Sequence, residues 1–182
     1  MDSVKGQLLI AGPTLVDPNF WRTVVLIVDH SDEGAFGMVL NRPSETSVGE
    51  AVPELETLVD PDEPLFFGGP VQPSSVITLA QFSDVTDAAL PAFGDIGVLG
   101  TGGPPLQELA EGVIEARAYV GHSGWGPGQL DSELERGDWI LEPARHGDVF
   151  STASGELWST VLTRKGGSYA LVARMPLDPS LN

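Results

Sequence analysis

Few residues in this 182-residue chain could do chemistry, and they are scattered. The most suggestive stretch is Gly121-His122-Ser123-Gly124-Trp125-Gly126. A nucleophile elbow needs glycine two residues on either side of its serine, so that a strained strand-to-helix turn exposes the hydroxyl. Gly121 meets that requirement, but Trp125 stands at the second position. The stretch therefore reads as a glycine-rich turn between a strand and a helix. His30 and His146 are candidate bases for Ser123, and no spacing places either beside it. Gly100-Thr101-Gly102-Gly103 follows a strand and precedes a helix, as phosphate loops do. The dinucleotide pattern would need glycine where Pro105 stands, and no Walker lysine follows. It reads as a loop.

Asp29-His30-Ser31-Asp32-Glu33-Gly34 looks suited to a cation, yet an EF-hand loop begun at Asp29 needs a carboxylate where Leu40 stands. An acidic, solvated turn is the reading, with a weak oxygen-ligand site as its alternative. The three histidines are far apart and the chain has no cysteine, so neither a metal centre nor a cofactor is expected. Gln129 and Glu133 are four apart on an expected helix and so share a face. Glu133 is a candidate buried acid with Arg22 or Arg42 as its partner. The alternative is an ion pair that only holds the fold in register.

Composition bounds the partners. Lys plus Arg is 9 against 26 Asp plus Glu, a formal net charge of -17. That field repels a phosphate backbone, whose affinity for proteins comes mainly from lysine and arginine. It also repels anionic lipid. Direct nucleic-acid binding and membrane docking are not expected. The first residues show no basic segment ahead of a long apolar one, and the longest apolar run, Val24 to Val28, is far too short to span a bilayer. A cytoplasmic protein is expected.

The elements that must position these residues are short, because 22 glycines and 15 prolines punctuate the chain. Strands are expected at 8–11, 23–29, 35–41, 65–67, 75–81, 96–99, 116–120, 139–141 and 169–173. The second and third, joined by Glu33-Gly34, should form an antiparallel hairpin. Helices are expected at 47–58, opened by a Ser47/Glu50 capping box, and at 106–111, 128–136 and 157–163. Gly137 closes the third. Mixed hairpins and crossovers make an α+β domain, and nothing divides residues 1–182 into two.

Several of these stretches together resemble the YqgE/AlgH family. They are Leu8-Leu9-Ile10-Ala11, then Asp17-Pro18-Asn19-Phe20-Trp21-Arg22-Thr23-Val24-Val25-Leu26, His30, and Gly34 through Asn41-Arg42-Pro43. Phe67-Gly68-Gly69-Pro70-Val71 and Gly121 through Gln129-Leu130, with Glu133-Leu134 and Trp139, carry its other signatures. His122 departs from the pattern, which usually has an aromatic such as tyrosine there. The resemblance implies a bacterial protein with a bifurcated mixed sheet, largely antiparallel, curled into a pseudo-barrel with flanking helices. It also brings a label of putative transcriptional regulator for part of the family.

The family motifs map onto Asp17, Arg22, His30, Asn41, Arg42, Gly68, Gly69, Pro70, Trp125, Gln129 and Glu133. Arg22 and Arg42 flank the apolar hairpin, and a guanidinium offers a bidentate fork to a carboxylate or phosphate. The expected site is a small polar cleft around Arg22, Asn41, Arg42, Gly68, Gly69 and Glu133. Its expected use is binding or regulation through a protein partner or a small anionic ligand. The alternatives are a hydrolase-like enzyme at the same cleft, and a transcriptional regulator, for which net charge disfavours direct DNA contact.

Overall fold

The computed structural model describes residues 2–177. The chain begins with β1 (Gln7–Ala11), β2 (Val24–Ser31) and β3 (Gly34–Val39). β2 pairs antiparallel with both neighbours, and Val24 to Val28 are fully buried, so this is a central strand covered on both faces. β4 (Pro43–Ser47) leads into α1 (Val48–Ala51), whose N-terminus is capped by the Ser47 hydroxyl accepting from Glu50 N at 3.3 Å. The helix expected to run to residue 58 stops there. Pro53 cannot donate to the helical ladder, and a 3₁₀ turn over Pro53–Leu55 follows instead.

β5 (Pro64–Phe67), β6 (Val71–Phe82), β7 (Leu90–Phe93) and β8 (Ile96–Val98) come next, followed by α2 (Leu106–Ala110). β9 (Val113–Trp125) is the longest strand, and the glycine-rich stretch expected to turn after it belongs to it. Gly121 to Trp125 stay extended because they still have partners. His122 lies opposite Val71 of β6, and Ser123 to Trp125 pair with β3. α3 (Gln129–Arg136), β10 (Trp139–Pro143), α4 (His146–Val149), α5 (Leu157–Lys165) and α6 (Ser168–Val172) complete the described chain. The expected final strand at 169–173 is thus a helix. Gly166 and Gly167, both at positive φ, turn the chain back, and α6 packs on α5. A five-residue apolar run fits either element, and here tertiary packing decides.

The sheet has ten strands, eight of them along the path β10-β1-β2-β3-β9-β6-β8-β7 and β4 and β5 off it, almost all antiparallel. β5 lies parallel to β9 and antiparallel to β4. β9 therefore meets two strands along one edge, β5 at Tyr119–Val120 and β3 at Ser123–Trp125. The sheet forks there. It also curls: Ala92 of β7 and Ile96 of β8 join Leu8, Ile10, Val24, Leu26 and Val28 in one core, closed by Trp158, Val161 and Leu162 of α5. It does not close into a barrel, because β10 and β7 end the path unpaired to one another.

Alternate residues of the same strands fill a second core on the opposite face. Leu9, Ala11, Val25 and Ile27 pack there against Trp125, Leu130 and Trp139. This is the period-two arrangement of a doubly covered sheet. A third core, around Val48, Ala80, Phe82 and Ala118, lies on the far side of β6 and β9. Among the described residues no helix is long and apolar enough to cross a membrane.

Candidate functional site

The turn that precedes β2 is built by Asp17. Its carboxylate accepts from Asn19 N at 2.8 Å, and its carbonyl accepts from Phe20 N and Trp21 N at 3.0 and 2.8 Å. Arg42 then holds this turn from the far end of the hairpin. Its Nη1 donates to Pro18 O and its Nη2 to Trp21 O, both at 2.9 Å. Burial lowers the Arg42 pKa, and the charge of Asp17 pulls it back up.

Arg22 follows at φ +53, a left-handed conformation unusual for a residue with a Cβ. That backbone sends its side chain towards the C-terminal segment. Nη2 donates to Met175 O and Pro176 O at 2.6 and 2.7 Å. The guanidinium lies 4.4 Å from the Trp158 ring centroid and 5.3 Å from that of Trp21. Asn41 links the two arginines' neighbourhoods through the backbone. Its Oδ1 accepts from Val24 N at 3.0 Å, and its Nδ2 donates to Arg22 O at 2.9 Å. The amide thus satisfies the end of β2 where the ladder runs out.

Gly68 and Gly69 sit at the fork of the sheet. Val39 N donates to Gly68 O, and Gly68 N donates to Val120 O, each at 2.9 Å. A Cβ on Gly68 would collide with Gly121 O, and one on Gly69 with the His122 backbone. Two chains cross at contact distance, which glycine alone permits. Ser123 seals the crossing by donating from Oγ to Gly68 O at 3.1 Å, and it is fully buried. The hydroxyl that suggested a nucleophile therefore serves the fork. His30 and His146 lie elsewhere. His30 Nδ1 accepts from Val4 N at 3.1 Å, and His146 Nε2 is 3.0 Å from Gln81 Oε1.

Glu133 has three side-chain partners, and none is an arginine. Its Oε2 accepts from the indole N–H of Trp125 at 2.9 Å and of Trp139 at 2.7 Å. Its Oε1 accepts from Gln129 Nε2 at 3.1 Å, while Gln129 Oε1 accepts from Gly126 N. The carboxylate clips two tryptophans, which are 6% and 5% exposed, beneath α3. The expected cleft is thus distributed over several places. Arg22 borders a cavity of about 110 Å³ with Trp21, Trp158 and residues 175–177. Arg42 and Gly69 border another, of about 260 Å³, with Asn19, Val39, Phe67 and Pro70. Glu133 lies with the tryptophans instead.

Phe67 is the residue that sequence reasoning left out of the site. It is 52% exposed on the wall of the second cavity, although it ends an apolar strand. Trp21 and Val71 are each 39% exposed as well. Alternation sets Phe67 on the side of β5 opposite Phe66, but Leu65 on that same side is buried, so no local signal marks the exposure of Phe67.

A family model described as AlgH-like matches residues 8–170. A UPF0301 protein of Streptomyces coelicolor is 40% identical over 188 residues, spanning 100% of this chain and 97% of the relative. One from Chlorobium limicola is 39% identical over 180 residues, 97% of this chain and 95% of the relative. A crystal structure of a Corynebacterium diphtheriae protein superposes with a TM-score of 0.84 at 30% identity, covering 95% of this chain and 93% of that one. The solution structure of AlgH from Pseudomonas aeruginosa gives a TM-score of 0.72 at 28% identity over 98% of each chain. With its sequence matched from Leu8 to Ala170 and its forked sheet shared, this chain belongs to the AlgH-like family.

Proposed function

We propose that this protein acts by binding, in the cytoplasm, and that its docking site is the cleft of Asn19, Arg42, Phe67, Gly69 and Pro70. One observation carries the reading. Three stretches far apart in sequence, 17–26, 34–43 and 67–71, each hold part of the family resemblance, and they supply the walls of this one cleft. The wall chemistry favours a protein partner over a small anion. Both terminal nitrogens of Arg42 already hold backbone carbonyls, and Asp17 stands close by. Phe67, by contrast, is a half-exposed aromatic of the type that anchors protein interfaces. The rarity of basic residues, 9 in the whole chain, supports a regulatory role exerted through a protein rather than through DNA.

The test is an amide NMR spectrum of the ¹⁵N-labelled chain in extract of its native cells, with macromolecules and small molecules separated. Shifts or broadening at Asn19, Phe67 and Gly69 in the macromolecular fraction are expected. Responses confined to the small-molecule fraction would transfer the site to a small ligand. No response at these positions in either fraction would end the reading.

A further inference from the structure

A cavity of about 440 Å³ lies over the third core, and its volume is in the range of small-molecule sites. The 3₁₀ turn gives it Leu55, β6 gives Val76 and Thr78, and α2 gives Leu106 and Leu109. Val76, Leu106 and Leu109 pack against the core yet stay only half-buried, so the apolar surface they retain is left to the cavity. Gly100 to Gly102, from the stretch that looked like a phosphate loop, form another wall. They build no anion site, because α2 has only five residues and Pro105 before it carries no N–H. Thr78 is the polar exception. It is 6% exposed, and strand alternation sets it with Val76 and Ala80 on the face of β6 that covers the third core. Its hydroxyl has no hydrogen-bond partner among the described residues, yet it is not sealed off. The sealed, unpartnered side-chain atoms are those of Glu63, Arg117, Tyr119, His122, Asp131 and Arg164. The Thr78 hydroxyl therefore opens into the cavity it lines.

Charge selects what can enter. No lysine, arginine or histidine lines the cavity, and its one charged side chain is the exposed Glu54. A carboxylate or phosphate would go in unpaired, against Glu54 and a net charge of -17. An ammonium would meet Glu54 only in water, where an ion pair contributes little, and deeper in it would have one hydroxyl to replace its hydration. A neutral molecule carries neither cost. Apolar walls then take its body, and the Thr78 hydroxyl, which both donates and accepts, takes one polar group. A sugar or polyol would leave its remaining hydroxyls against leucine and valine. We propose that this cavity binds an uncharged, mainly apolar small molecule of one or two rings, with a single hydroxyl or carbonyl hydrogen-bonded to Thr78.

The experiment titrates the ¹⁵N-labelled full chain with 2-indanol, 1-indanone and cyclohexanol, and separately with phenylacetate and benzylamine. Saturable amide shifts at Thr78, Leu99, Thr101 and Leu109 with at least one of the three neutral probes are expected. Thr78→Val keeps the branched shape that suits a strand and removes only a hydroxyl that no protein group uses, so the fold should hold. It should weaken the tightest neutral probe about three- to tenfold, the loss of one hydrogen bond between neutral groups. Indane, which has the two rings and no oxygen, should bind wild type and Thr78→Val equally. Saturable binding of phenylacetate or benzylamine without any neutral probe would overturn the proposal. So would the absence of a saturable response to all three neutral probes, or a Thr78→Val variant that treats the tightest of them and indane alike.

Discussion

Replacing Glu133 by alanine would remove the shared acceptor of Trp125 and Trp139. Both rings are nearly buried, so each indole N–H would lose a hydrogen bond to a charged group with little water to replace it. Such bonds contribute about 1.5–3 kcal/mol each. Glu133 itself is half-buried, which discounts the pair, and a loss of about 3–5 kcal/mol is expected. In a chain of this length each kcal/mol moves the melting temperature by roughly 2–4 °C, so Glu133→Ala should melt about 6–20 °C lower. Glu133→Gln keeps an oxygen that can accept from both indoles but loses the charge, and should cost about 1–2 kcal/mol. Gln129→Ala, on the exposed side of the carboxylate, should cost under about 1 kcal/mol. Urea unfolding followed by tryptophan fluorescence measures all three. A Glu133→Ala midpoint within about 0.5 kcal/mol of wild type, or equal losses for alanine and glutamine, would refute the clip.

Three further outcomes follow from the same geometry. Gly69→Ala places a Cβ into the His122 backbone at φ +152 and should cost more than about 3 kcal/mol in urea, whereas Gly102→Ala, at φ +80 in open space, should cost only about 1 kcal/mol. Asn41→Ala leaves Val24 N and Arg22 O without their side-chain partners and should cost about 1–3 kcal/mol by the same assay. His122 is held neutral, because burial lowers its pKa from 6.5, and its Nδ1 has no partner among the described residues. The unfolded chain therefore takes up this proton first, and stability should fall as pH drops below about 6.5 towards the lower folded value. His122→Phe should flatten that slope in stability measured between pH 7.5 and 5, and an unchanged slope would show that other groups cause it.

The strands that carry the fold were legible because their apolar runs are long and bounded. Val24 to Val28 reads as a doubly covered strand from sequence and is one. What lay beyond reach was set by distant partners. Nothing local says that Gly121 to Trp125 continue a strand, since the reason is β3 on one side and Val71 of β6 on the other. Nothing local says that Tyr169 to Val172 coil, since α5 decides it. β4 and β7 contain prolines at Pro43 and Pro91, which hid them as strands. At the site, the adjacent Gly68 and Gly69 mark the close backbone approach that a Cβ would forbid. The arginines misled by their type, because a guanidinium fork suits a backbone carbonyl as well as a ligand anion. Arg117 gave the opposite lesson: a lone arginine inside the apolar run Ala116–Val120 is buried, and it is held there by the carbonyls of Val149 and Ser151.

The docking cleft is tested most directly by affinity capture from native extract with three baits: wild type, Phe67→Ser, and Ile114→Ser as a control at a 61% exposed apolar residue distant in sequence. Quantitative mass spectrometry should find a protein retained by wild type and by Ile114→Ser, and depleted about tenfold or more with Phe67→Ser, as loss of an aromatic anchor implies. Equal retention by all three baits would contradict the cleft as the place where this protein does its work.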